Sequence, residues 1–138
     1  MNYQEMKREQ EKELSDFEGI FYAFSDKQFN EGMVKVGLVA SDTDKIYSLG
    51  AGGYILKEKS EAFHTMFKKF SDRMETALKN EDFLLDALTY ELCNHEYFIT
   101  CGVDKALNAL GLTLEGIKSL SFGADVLKKS CTEAMRSC

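Results

Sequence analysis

The sequence predicts a mainly α fold: a compact bundle of about five to six helices with one small β-hairpin or ordered glycine-rich loop near residues 40–56. Three observations carry this reading. Apolar residues recur at three- and four-residue intervals around 60–78 and 82–99, the spacing that keeps them on one face of a helix. Proline is absent from the chain, which removes kinks and rigid turns and suits helices ended by glycine or polar caps. With 44% hydrophobic residues, including ten Phe and six Tyr, the composition is that of a packed protein. A chain of 138 residues should bury roughly two thirds of its unfolded surface, so 1–138 reads as a single globular domain.

Residues 1–18 form a charged helix with only Met6, Leu14 and Phe17 as an apolar edge, predicted to lie over the body and to fray. Ile20 to Phe24 is a short apolar run, read as buried and extended. Ser25 and Gln28 have capping-box spacing, so a helix should run from Asp26 to Val36 and stop at Gly37. Ser41 to Asp44 is turn chemistry, and Gly50-Ala51-Gly52-Gly53 separates two apolar runs as a tight turn would. No GKS or GKT follows those glycines, so a phosphate cradle is a weak reading of them. Ser60 should start a helix with Phe63, Met66, Phe67, Phe70, Met74 and Leu78 as its core stripe. A more fully buried helix is predicted over 82–99. Leu84, Leu85, Leu88, Leu92 and Ile99 form its inner face, extended by Phe83, Ala87, Tyr90 and Phe98. Asp104 and Thr113 can cap two shorter helices, and a last one should begin near Ala124.

The net charge of −6 comes without any stripe of Lys and Arg, so direct nucleic-acid binding is not expected. No apolar run approaches the roughly 20 residues of a membrane span, and the charged N-terminal stretch is unlike a signal peptide. These features predict a cytoplasmic protein in which Cys93, Cys101, Cys131 and Cys138 are kept reduced.

The sharpest local feature is the pair of histidines, His64 and His95, one on each of the two most periodic helices. Projection at 100° per residue puts His95 in the Leu84, Leu88, Leu92 stripe with Glu91 one turn earlier. Two readings stand side by side. In one, His64, Glu91 and His95 ligate zinc or another divalent metal, with Cys101, Asp42 or water completing the shell. In the other, His95 is a core histidine hydrogen-bonded to Glu91, and His64 is its half-exposed neighbour. Catalytic residues are not apparent: Cys93 and His95 point about 200° apart on one helix, and Asp42 and Asp44 lack the ligand spacing of an EF-hand.

The blocks FYAFSDKQFNEGM, SDTDKIYSLGAGGYI, SEAFHTMFKKF and ELCNHEYFIT, then ALNALGLT, resemble a family of small uncharacterised proteins carried by phages, plasmids and conjugative elements of gut and oral bacteria. The resemblance covers about residues 14–114. Its AFHxMF pattern matches Ala62, Phe63, His64, Met66 and Phe67, and its ELxNHEY pattern matches Glu91, Leu92, Asn94, His95, Glu96 and Tyr97. Alanine is common in that family where Cys93 stands here. By analogy with anti-CRISPR proteins of mobile elements, some of them small, acidic, helical and zinc-binding, it implies a non-enzymatic partner of a bacterial defence nuclease. The specific expectation is an inhibitor of a type II RNA-guided nuclease in the bacterial host cytoplasm. The alternative is a small metal-dependent hydrolase with Glu96 or Glu91 as base.

Overall fold

Helix dominates, as the periodicity requires. The computed structural model describes residues 1–138 and contains eight α-helices and three short strands. The chain divides into two compact units, one of Met1–Gln10 with Phe70–Cys138 and the other of Glu11–Lys69.

The first unit holds the start of α1 (Tyr3–Ser15) and the end of α3 (Ser60–Ala77), then α4 (Glu81–Asn94), α5 (Tyr97–Thr100), α6 (Asp104–Ala109), α7 (Leu114–Ser119) and α8 (Gly123–Ser137). Its core is built from Leu84 and Leu88 of α4, Ile117 of α7 and Val126 of α8, joined by Tyr3, Leu78, Phe83 and Leu107. Helices α4 and α8 share the largest helix contact, with Leu92 and Ala134 sealed between them and α6. Polar side chains set the helix starts: Asn80 Oδ1 accepts from Phe83 N–H at 3.0 Å and Thr113 Oγ1 from Gly116 N–H at 3.0 Å, satisfying amides that the first turn leaves free. Asp104 does not act as the expected cap, because it is already the first helical residue behind Val103. The two shorter helices expected near Asp104 and Thr113 are α6 and α7, and the one helix not expected as a separate element is the single turn of α5.

The predicted 82–99 helix is interrupted. It ends at Asn94, His95 becomes its C-cap, and Glu96 takes a left-handed backbone with φ of 58° before the single turn of α5 begins. Phe98 and Ile99, expected inside, are therefore exposed. At the N-terminus, Tyr3 is buried in the core beside Phe83 and Tyr90.

In the second unit, β1 (Ile20–Tyr22), β2 (Ile46–Gly50) and β3 (Gly53–Leu56) form an antiparallel sheet in the order β1-β3-β2. The β2–β3 hairpin fulfils the expectation for residues 40–56, and β1 adds a strand on its far side in the register Phe21 opposite Tyr54. One face packs on α2 (Asp26–Lys35): the Phe21 ring stacks on Tyr54 at 5.3 Å, Phe29 stands edge-on to both, and Met33 is fully buried. Ser25 Oγ caps α2 by accepting from Gln28 N–H at 3.2 Å. Gln28 Oε1 reaches one residue further back than a standard capping box and accepts from Phe24 N–H at 2.8 Å.

Candidate functional site

Glu91 is the one acidic residue drawn into a core, and its surroundings explain how it is tolerated. It lies on the last turn of α4 and is 3% exposed. The Tyr3 hydroxyl donates to its Oε1 at 2.5 Å, Lys7 Nζ lies 3.6 Å from the same oxygen, and His95 Nε2 lies 3.3 Å from Oε2. An unpaired buried carboxylate costs several kcal/mol, so these donors are what permits the burial. Tyr3 is fixed in turn: its backbone N–H donates to Asp86 Oδ2 at 2.9 Å, and Lys7 sits over the rings of Tyr3 and Tyr90 at 5.4 and 5.2 Å. Burial first, then the hydrogen bond and the charge of Glu91, push the Tyr3 phenol well above its ordinary value of 10.0. The hydroxyl therefore stays a proton donor through the neutral range. The cluster ties the first turns of α1 to α4, with its carboxylate oxygens already engaged by groups of the fold.

The structure places the predicted trio unevenly. Glu91 and His95 are neighbours, as their spacing required, yet the expected core histidine is the shallower of the two: Glu91 is sealed and His95 is 30% exposed. His95 moved outward because α4 ends on it. His64 belongs to the other unit, where it is exposed on α3 and lines an open pocket with Tyr47, Lys57, Ser60 and Lys68. No group of three or more His, Cys, Asp or Glu side chains is placed to hold a metal ion. Asp42 is engaged with its own loop, accepting from Val39 N–H at 3.0 Å. Cys101 is exposed on a residue of left-handed backbone. Glu96 is likewise exposed and left-handed, outside any enclosed site. Cys93 is paired with Cys138, against the expectation of four free thiols.

A second candidate lies in the other unit and was not read from the sequence. Ile20 to Phe24 was expected to be buried, but strand geometry sends alternate residues to opposite faces, and Tyr22 and Phe24 emerge 60% and 77% exposed. They lie where side chains are missing. A Cβ at Gly53 would fall 3.1 Å from the Tyr22 ring and 3.3 Å from the Cβ of Leu49, and one at Gly52 would fall 2.5 Å from the Phe24 ring. The glycines thus serve the close approach of these rings as well as the turn, where Gly50, Ala51 and Gly52 all have positive φ. Tyr47 and Leu49 of β2 complete the exposed apolar cluster, with Lys57 Nζ 5.0 Å above the Tyr47 ring. The signal available in the sequence was the adjacency of aromatic runs to Gly52 and Gly53, but five consecutive apolar residues do not say which of them face out.

Residues 2–136 match the model of a family of unknown function, DUF7659. The chain belongs to this family. The matched span takes in the Glu91 cluster and the aromatic cluster on the hairpin, and leaves out Cys138. No curated protein and no solved structure matches the chain. No helix is long and apolar enough to cross a membrane.

Proposed function

We propose that this DUF7659 protein acts by binding another protein, through the exposed cluster of Tyr22, Phe24, Tyr47 and Leu49, and not by catalysis. The observation that carries this reading is the clustering itself. Single exposed apolar residues are ordinary, whereas several side by side on one sheet are typical of interaction surfaces, and tyrosine and phenylalanine are the residues such surfaces favour. The best placed carboxylate for chemistry, Glu91, favours the same conclusion, since Tyr3, Lys7 and His95 already occupy its oxygens. For the partner, the resemblance to mobile-element proteins supplies a class: a type II RNA-guided nuclease of the bacterial host, held in an inactive state.

The test adds purified chain to type II effector nucleases from several bacterial hosts and follows target cleavage. Inhibition is expected, and Phe24→Ser or Tyr22→Ser should relieve it by tenfold or more, about the loss of one central aromatic anchor. Inhibition by the unsubstituted chain should persist from low to high salt, because an apolar contact is little screened while an electrostatic plug of a basic channel weakens steeply. Complete cleavage by every effector at saturating chain would remove the nuclease as partner. Inhibition that both variants retain would remove the aromatic cluster as the contact.

A further inference from the structure

We propose that Cys93 and Cys138 form a reversible thiol–disulfide site that fastens the end of α8 onto the last turn of α4. The argument starts from helix packing. Helices α4 and α8 make the most extensive helix contact in the fold, sealed by Leu92 and Ala134, so their ends are held in register whether or not the sulfurs are joined. That packing sets the Cα atoms of Cys93 and Cys138 5.6 Å apart, at the common separation for a disulfide, and the structure joins their sulfurs. Cys138 stands exposed at the C-cap of α8, and Cys93 is half-buried on α4 between Glu91 and His95. The other two cysteines are free, Cys101 exposed and Cys131 half-buried with its thiol hydrogen-bonded to the Tyr97 hydroxyl.

Accessibility orders the chemistry. The exposed Cys138 thiolate attacks a small oxidised disulfide of the glutathione class, forming a mixed disulfide and releasing one glutathione thiolate, which takes up a proton. The Cys93 thiolate then attacks the Cys138 sulfur and expels the second glutathione. Two protein thiols are oxidised to one disulfide and the reagent's disulfide is reduced to two thiols, so electrons and protons balance. A dithiol reductant runs the sequence backwards. Closing a loop across 45 residues restricts the unfolded chain, so the oxidised form is the more stable one.

The full chain is incubated with oxidised glutathione or with dithiothreitol, then followed by intact mass, peptide mapping and thermal melting. Expected are the loss of two hydrogens per chain, a peptide linking Cys93 to Cys138, reopening by dithiothreitol, and a melting temperature about 10 °C higher when oxidised. Cys93→Ser and Cys138→Ser should each abolish both link and shift, whereas Cys101→Ser and Cys131→Ser should keep both. A link to Cys101 or Cys131, a mixed disulfide that never closes, or a Cys93–Cys138 link with unchanged melting overturns the proposal. If a serine variant does not fold, the oxidised and reduced wild-type chains carry the test by themselves.

Discussion

Tyr3 shows how much one residue can decide. In the sequence it is the third residue of a charged segment; in the fold it is 3% exposed and donates the shortest hydrogen bond to Glu91. Tyr3→Phe keeps the ring and removes only the donor, so urea unfolding should show a loss of roughly 1.5–3 kcal/mol, the range for a hydrogen bond to a charged group. The alkaline limb of stability carries a second signature. Because the folded phenol lies above 10.0, the unfolded chain releases this proton first as pH rises, and the Tyr3 contribution to stability should be constant below about pH 10 and be lost above it. Tyr97 is shifted in the same direction, first by its hydrogen bond to Cys131, but it is only half-buried and contributes less. Tyr3→Phe should therefore flatten most of the decline; an unchanged alkaline slope would show that Tyr3 is not its source. The Glu91–His95 pairing was legible at this scale because four residues is one turn. The donors Tyr3 and Lys7 were not, since nothing local says which helix will arrive beside α4.

Among the elements, the starts of helices were the most legible and their ends the least. Ser25 and Thr113 cap through bonds to backbone amides three residues on, which is local chemistry, and Asn80, not singled out in the sequence, does the same for α4. Ser25→Ala should accordingly cost about 1 kcal/mol in thermal or denaturant unfolding. The end of α4 was misjudged because apolar periodicity continues through Phe98 and Ile99, while the backbone turns left-handed at Glu96 and Cys101 without a glycine to announce it. The start of α8 shows a constraint that periodicity cannot express. A Cβ on Gly123 would lie 1.7 Å from the carbonyl oxygen of Ile117, a backbone atom that cannot rotate away. Gly123→Ala should destabilise by about 3 kcal/mol or more, well beyond the Ser25 effect, since α7 and α8 must separate to admit it. Comparable midpoints for the two variants in urea would contradict that close packing.

For the whole molecule, the test with most bearing on function is metal dependence. With the oxygens of Glu91 taken by Tyr3, Lys7 and His95, protein purified without a histidine tag is expected to carry no stoichiometric zinc. Chelator should then leave its melting temperature unmoved, whereas a bound structural metal would add stability by mass action. One zinc per chain, lost in both His64→Ala and His95→Ala, would support the three-ligand reading instead. By itself the sequence determined the helical class, the hairpin between Ile46 and Leu56 and the stripe of α4. Each of these follows from residues within a few positions of one another or from summed composition. Only the tertiary structure decided that Tyr3 belongs to the core, that Glu91 lies deeper than His95, that Tyr22 and Phe24 face outward over Gly53 and Gly52, and that Cys93 meets Cys138. The physical reason is common to all four: burial and contact depend on which distant segment packs against a residue, and periodicity carries the direction a side chain takes from its own backbone but not what it meets there.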